Sequence, residues 1–195
     1  MDRSHITGLV LAGGRGSRMG EVDKGLVSVH GQPLIRHVLT RLVPQVAGVL
    51  ISANRNLDTY AALGHPVMAD TDPGFPGPLA GMRAGLLACP TPWLLVVPCD
   101  APALPLDLAQ RLAAEVTAND RPAAVARTAS GTQPVFTLLH RRLADSLGRF
   151  LDAGGRKVED WQRAAGAVYA DFDSANAFTN LNTPGELQRY AATSP

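Results

Sequence analysis

The apolar run Ile6–Leu11 breaks at Ala12-Gly13-Gly14, and three cations, Arg15, Arg18 and Lys24, follow it. A short β-branched-containing run that stops on glycines reads as a buried strand. Glycines directly after such a strand let backbone N–H groups turn toward an anion without interference from a Cβ. This pattern asks for a fold in which strand ends open onto a ligand, and the rest of the chain supplies one. Leu34, Ile35, Val38, Leu39 and Leu42 keep a helical period after Pro33, a good first-turn residue. Strands are expected at Val49–Ala53, Val67–Ala69, Trp93–Val97, Ala123–Arg127 and Val135–Leu139. Helices are expected at Leu57–Leu63 (ended by Gly64), Leu79–Ala88, Leu106–Val116, Arg141–Ala153 and Lys157–Ala165. Thr183-Pro184-Gly185-Glu186 has the spacing of a capping box with proline at its first helical position, opening a last helix to about Ala192. Such alternation predicts an α/β fold, a three-layer sandwich around a mostly parallel sheet.

Composition narrows the class of partner. The 195 residues carry 18 Lys+Arg against 17 Asp+Glu, a formal net charge of +1. A nucleic-acid coat or a membrane-surface binder needs a strong basic excess, so nucleic acid and membrane are excluded as partners. A hydrophobic fraction of 46% with 18% charged residues belongs to a folded domain. The length suits one domain with a real core. No apolar run approaches the roughly 18 to 20 residues that span a bilayer. The first residues lack a signal peptide's cleavage region. The expected location is the cytoplasm. Cys89 and Cys99 are too few for a disulfide framework and lack metal-ligand spacing.

The cations beside the glycines supply the charge that a triphosphate requires. A glycine-rich turn with solvated basic residues is the alternative. Two common nucleotide loops are excluded. A Walker A loop needs Gly-Lys before Ser or Thr, and no Gly-Lys pair occurs in the chain. A dinucleotide fingerprint opening at Gly14-Arg15-Gly16 would need its third glycine where Met19 stands; that glycine comes one residue late, at Gly20. The loop is a phosphate binder of a third kind. Asp100 follows the strong strand Trp93–Val97, where open α/β sheets place ligands. A carboxylate there can hold Mg²⁺, and a helix cap or turn residue is the other reading. Asp70 sits similarly after Val67–Ala69, whereas Asp72 reads as a turn residue, and the expected part of Asp23 is to orient Lys24.

The series Leu11-Ala12-Gly13-Gly14, Arg18-Met19, Asp23-Lys24 and Gly31-Gln32-Pro33-Leu34 resembles the opening signature of nucleotidyltransferases that make sugar nucleotides, isoprenoid precursors and molybdenum-cofactor dinucleotides. Three further stretches, Phe75-Pro76-Gly77-Pro78-Leu79-Ala80-Gly81-Met82, Pro98-Cys99-Asp100-Ala101-Pro102 and Asn180-Leu181-Asn182-Thr183-Pro184, are similar to the bacterial molybdenum cofactor guanylyltransferase family. The likeness runs from about Thr7 to Tyr190, dense at 8–42, 70–82 and 96–102 and thin between 103 and 175.

The resemblance implies a Rossmann-like fold of the nucleotide-diphospho-sugar transferase type, with a nucleotide-binding half over about 1–105 and an acceptor-binding half over about 106–195. It implies transfer of GMP from GTP to the terminal phosphate of molybdopterin, with Mg²⁺ as cofactor and transient contacts with molybdenum-insertion proteins or molybdoenzymes. By the same resemblance Lys24, Arg18 and Asp100 are catalytic, and Asp100 carries the metal. Leu11, Ala12, Gly13, Gly14, Arg15, Gly16, Lys24, Ser52, Asp70, Gly77, Gly81 and Asp100 are the expected nucleotide contacts. Arg156, Lys157, Asn180 and Asn182 are the expected acceptor contacts, with a solvated helix start as the other reading of Arg156-Lys157. One position departs from the pattern. The family commonly shows Asn-x-Asn after the second strand, and this chain has Ser52-Ala53-Asn54, so contact at 52 is open because a hydroxyl lacks the paired donor and acceptor of an amide. A CTP-using or sugar-phosphate enzyme, and a non-catalytic module that delivers finished cofactor, remain alternatives. The five histidines, Ser17, Ser174, Trp93, Trp161 and both cysteines are assigned structural or surface roles.

Overall fold

A computed structural model describes residues 1–12, 23–69 and 77–193. In chain order the elements are β1 (Ile6–Leu11), β2 (Ser28–Val29), β3 (Gln32–Pro33), α1 (Leu34–Leu42), β4 (Gly48–Ser52), α2 (Leu57–Ala61), β5 (Val67–Met68) and α3 (Pro78–Ala88). They continue with β6 (Trp93–Pro98), α4 (Leu108–Asn119), β7 (Ala123–Thr128), β8 (Gly131–His140), α5 (Ala144–Asp152), α6 (Val158–Ala164), β9 (Val168–Asp171) and α7 (Pro184–Thr193). Seven strands form one sheet in the order β5-β4-β1-β6-β8-β7-β9. Within it β8 alone runs against its neighbours, pairing antiparallel with both β6 and β7. The other pairings, β1 with β4 and β6, β4 with β5, and β7 with β9, are parallel.

The alternation of side chains along β6 explains its unbroken hydrophobicity. Leu94 and Val96 enter a core made with α3, α5 and Trp161 of α6, while Leu95 and Val97 enter the opposite core made with α1, Tyr60 and α4. A strand covered on both faces has no polar side to show. Helices on both faces make the three layers expected from the sequence. A third, smaller cluster of Val29, Leu34 and Leu181 seats α7 against the β2–β3 hairpin and the start of α1.

Several boundaries differ from the sequence reading, each for a local reason. The helix expected from Leu106 begins at Leu108 and runs on to Asn119, where Asp120 stops it in the left-handed region at φ 50°. The helix expected from Arg141 begins at Ala144, because Arg141–Leu143 form a 3-10 turn whose Arg142 N–H is accepted by His140 Nδ1. Pro33 stands at the N-cap, one residue outside α1. β8 is twice the expected strand and carries an irregularity, since Val125 faces Thr137 while Ala126 faces Gln133. The two-residue strands β2 and β3 are too short to show a period, and the edge strand β9 has only the brief run Ala167–Ala170 directly after an expected helix.

Candidate active site

All parallel strands deliver their carboxyl ends to one side of the sheet. Pairing continues past the strands there, with Ala12 N donating to the Ser52 carbonyl at 2.7 Å, Cys99 N to the Leu11 carbonyl at 3.1 Å and Ala53 N to the Met68 carbonyl at 2.9 Å. The backbone at Leu11–Ala12, Ser52 and Cys99–Asp100 is therefore a firm rim, and side chains from three separate segments meet above it.

Asp100 is the centre of that meeting. It is 8% exposed, and its carboxylate Oδ2 lies 3.6 Å from Lys24 Nζ. Burial pushes its pKa above the usual carboxylate value, with the Lys24 ammonium pulling the other way. The Asp100 carbonyl accepts Leu181 N at 2.8 Å and so docks the segment that carries Asn180 and Asn182. Lys24 Nζ donates a short hydrogen bond to Asn182 Oδ1. Asn182 is itself held from behind: Glu186 Oε2 accepts Asn182 N at 2.7 Å and Thr183 N at 2.8 Å, and Glu186 N donates to Thr183 Oγ1 at 3.3 Å. The capping box read from the sequence thus opens α7 and also fixes a side chain of the site. Those backbone donors draw the Glu186 pKa below its usual value. The Asn180 Oδ1 is buried with no hydrogen-bonding partner among the described residues.

Lys24 leaves from a 3-10 turn, Lys24–Leu26, that packs against α1. Preceding it, the Asp23 carboxylate accepts from the Tyr60 hydroxyl and from Asn56 Nδ2. Gly25 passes so close to Tyr60 that a Cβ built there would lie 2.6 Å from Oη and 3.3 Å from Cys99 Sγ. Tyr60 and Asn56 were not legible as site residues, since nothing in their spacing from Asp23 signals contact.

The remaining expected residues divide. Gly77 takes φ 129°, a conformation that favours glycine, and caps α3, with Gly81 buried in that helix. Because α3 starts beyond the carboxyl end of β5, its positive N-terminal end lies on the side where the strands open. Ser52 is 2% exposed. Arg156 Nη1 donates to the carbonyls of Leu151 (3.0 Å) and Gly155 (2.6 Å), closing the end of α5, and Lys157 is exposed at the N-cap of α6. Gly13, Gly14, Arg15, Gly16, Arg18 and Asp70 lie outside the described residues. Both cysteines are buried thiols, and burial raises the Cys99 pKa well above its usual value.

Residues 8–166 match the profile of the MobA-like NTP transferase domain. The chain belongs to that family. It is 50% identical over 193 residues to the molybdenum cofactor guanylyltransferase of Cupriavidus necator, covering 96% of this chain and 97% of that one. Among solved structures, the molybdopterin-guanine dinucleotide biosynthesis protein A of Archaeoglobus fulgidus superposes with a TM-score of 0.77 at 25% identity, over 95% of this chain and 97% of the other. A CMP:2-keto-3-deoxy-manno-octonic acid synthetase solved with CTP shares the fold, with a TM-score of 0.74 at 13% identity over 98% of both chains. The expected nucleotide-diphospho-sugar transferase architecture is the observed one, and the chain is a nucleotidyltransferase of this MobA-like family.

Proposed function

We propose that this protein transfers GMP from GTP to the terminal phosphate of molybdopterin, forming the guanine dinucleotide and releasing pyrophosphate. The observation that carries the reading is the near-full-length likeness to a molybdenum cofactor guanylyltransferase, in a chain whose Lys24, Asp100 and Asn182 converge at the carboxyl ends of the strands. The chain acts as one domain, with the nucleotide on about residues 1–105 and the acceptor on about 106–195. Among the described residues no helix is long and apolar enough to cross a membrane, and the reaction is assigned to the cytoplasm with its substrates. Transient contacts with molybdenum-insertion proteins or molybdoenzymes would pass the product on.

In the proposed reaction a terminal phosphate oxygen of molybdopterin attacks the α-phosphorus of GTP. The bond from that phosphorus to the β-phosphate bridging oxygen breaks, and pyrophosphate leaves with the electron pair. The attacking phosphate is already largely ionised near neutral pH, with a second pKa of about 6 for a phosphate monoester, so no general base is required. Catalysis reduces to alignment and neutralisation of charge. Gly13, Gly14 and Gly16 are assigned to the triphosphate with Leu11, Ala12 and Arg15, and Gly77 and Gly81 present the start of α3 to the same anion. Lys24 and Arg18 stabilise charge gathering on the α-phosphoryl and pyrophosphate oxygens. Asp70 and Ser52 are assigned to the nucleoside side, and Arg156, Lys157, Asn180 and Asn182 to the acceptor.

Mg²⁺ fits the residues present. Among the described residues no group of three His, Cys, Asp or Glu side chains forms a ready metal cage. Mg²⁺ does not need one, because it binds through one or two carboxylates and takes its other ligands from phosphates and water. Asp100 offers such a carboxylate, buried and faced by one ammonium. Asp100 would hold the ion, and its chemistry there would be positive charge set against the charge of the triphosphate and the leaving group. The experiment is pyrophosphate release with each nucleoside triphosphate and molybdopterin or a panel of sugar phosphates. Release with GTP and molybdopterin supports the reading; preference for CTP or a sugar phosphate, or nucleotide binding without release, overturns it.

A further inference from the structure

An aspartate at the N-cap of a turn ordinarily turns its carboxylate back onto that turn's own N–H groups. Asp23 holds this position before Lys24–Leu26 and makes no such bond. Its two oxygens are taken by donors far along the chain: the Tyr60 hydroxyl binds Oδ1, and Asn56 Nδ2 binds Oδ2 at 3.0 Å. Asn56 is the N-cap of α2 and Tyr60 lies in its single turn, on the segment that follows β4. Tyr60 is fully buried, and burial together with the Asp23 bond drives its pKa far above the usual phenol value. The hydroxyl is therefore a donor at every working pH. Asn56 is set in the left-handed region at φ 52°, which aims it across the gap. Gly25 completes the joint, because only a residue without a Cβ lets the turn close against Tyr60 Oη and Cys99 Sγ.

We propose that Tyr60 is a positioning residue for Lys24: through Asp23, its buried hydroxyl fixes the turn from which the ammonium reaches Asp100 and Asn182. A flexible four-carbon side chain is a precise electrostatic group only when its root is fixed. Here the root is anchored to α2 and its N-cap while the tip is held by Asp100, just beyond β6, and by Asn182 before α7, so Lys24 spans the cleft between two fixed points. The consequence for rate rests on the nucleotidyl-transfer reading; the positional claim does not.

The chain contains two lysines, Lys24 and Lys157, which makes the claim directly observable. Protein labelled with ¹³C at lysine Cε gives two signals, and Lys157→Arg assigns them. In Tyr60→Phe the Lys24 signal is expected to move toward that of the exposed lysine. The kcat for pyrophosphate release falls about 10-fold and the GTP KM stays within about 2-fold, as loss of alignment without loss of contact requires. In a Lys24→Ala background the same substitution causes no further loss, because the two residues act as one unit. Should Tyr60→Phe fold poorly, Asp23→Ala removes the acceptor of the same anchor and carries the same expectations. An unmoved Lys24 signal, an unchanged kcat, or losses that multiply in the double variant would overturn the proposal. Wild-type protein that releases no pyrophosphate would defeat the functional reading, and the NMR signal would still decide the anchor.

Discussion

Gly25→Ala is a one-carbon change whose cost can be worked from the contacts. The new Cβ would sit 2.6 Å from Tyr60 Oη, 3.3 Å from Cys99 Sγ and 3.4 Å from Cys99 Cβ. The first distance is below any tolerated contact, so something must move. Tyr60 is 0% exposed and tied to Asp23, and Cys99 lies in the backbone pairing beyond β6, so neither yields freely. Overpacking of this kind costs about 1–3 kcal/mol. Stretching the charged Tyr60–Asp23 bond adds about 1–2 kcal/mol, part of the full worth of such a bond. The gain from replacing a flexible glycine returns about 0.4–1 kcal/mol. The net is about 1–5 kcal/mol, which lowers the melting temperature of a domain this size by about 2–18 °C. Calorimetry measures it. Removing the atom that is struck should remove the cost, so Gly25→Ala made on top of Tyr60→Phe should lower the melting temperature by a few degrees at most. Turnover should stay low in that double variant, because the anchor of Lys24 is gone. If Gly25→Ala melts with the wild type, or costs as much in the Tyr60→Phe background, the steric account of this turn is wrong.

Lys24→Ala should lower kcat by about 10²–10³, the cost of removing one electrostatic stabiliser, and an unchanged kcat would return Lys24 to the solvated loop. Asp100→Asn should abolish Mg²⁺-dependent turnover without lowering the melting temperature at neutral pH. The sign follows from burial: its folded pKa is raised, so its contribution to stability is fully present below the ordinary carboxylate value and is lost as pH rises through the raised one. Near-native turnover of Asp100→Asn at limiting Mg²⁺ would refute the metal role. Glu186 has the opposite sign, a depressed pKa whose contribution is present above the ordinary glutamate value and is lost as pH falls through the depressed one. Protection of the Leu187–Tyr190 amides, taken relative to the intrinsic exchange rate at each pH, should therefore fall on acidification and in Glu186→Ala at neutral pH; equal protection in both proteins would show that α7 does not depend on its capping box.

Much of the sheet could be read in advance because burial writes itself into sequence. β1 and β6 are apolar on consecutive residues since helices cover both faces, and α1 shows a helical stripe because only one side meets the core. The turn Thr183–Glu186 was legible because capping chemistry is local. What stayed hidden is non-local or short. β9 is a four-residue edge strand with a polar end, and two-residue pairs such as β2 and β3 have too little length to show a period. In the site, Asp100 was legible from its place after a strong strand, whereas the convergence of Lys24 on Asn182 bridges 158 positions and Tyr60 on Asp23 bridges 37. No spacing rule reaches that far. Arg156 shows the converse limit: a basic residue that suggests an anionic ligand by composition also spends hydrogen bonds on the end of its own preceding helix.

The central claim is that the α-phosphoryl group of GTP moves to the acceptor at the Lys24–Asp100 centre. Positional labelling tests it directly, with GTP carrying ³²P at either the α or the γ position and molybdopterin as acceptor. The account predicts α label in the dinucleotide, γ label only in pyrophosphate, equal amounts of the two products, and neither product with Asp100→Asn. Label from the γ position in the acceptor, or in free phosphate without dinucleotide, would contradict it.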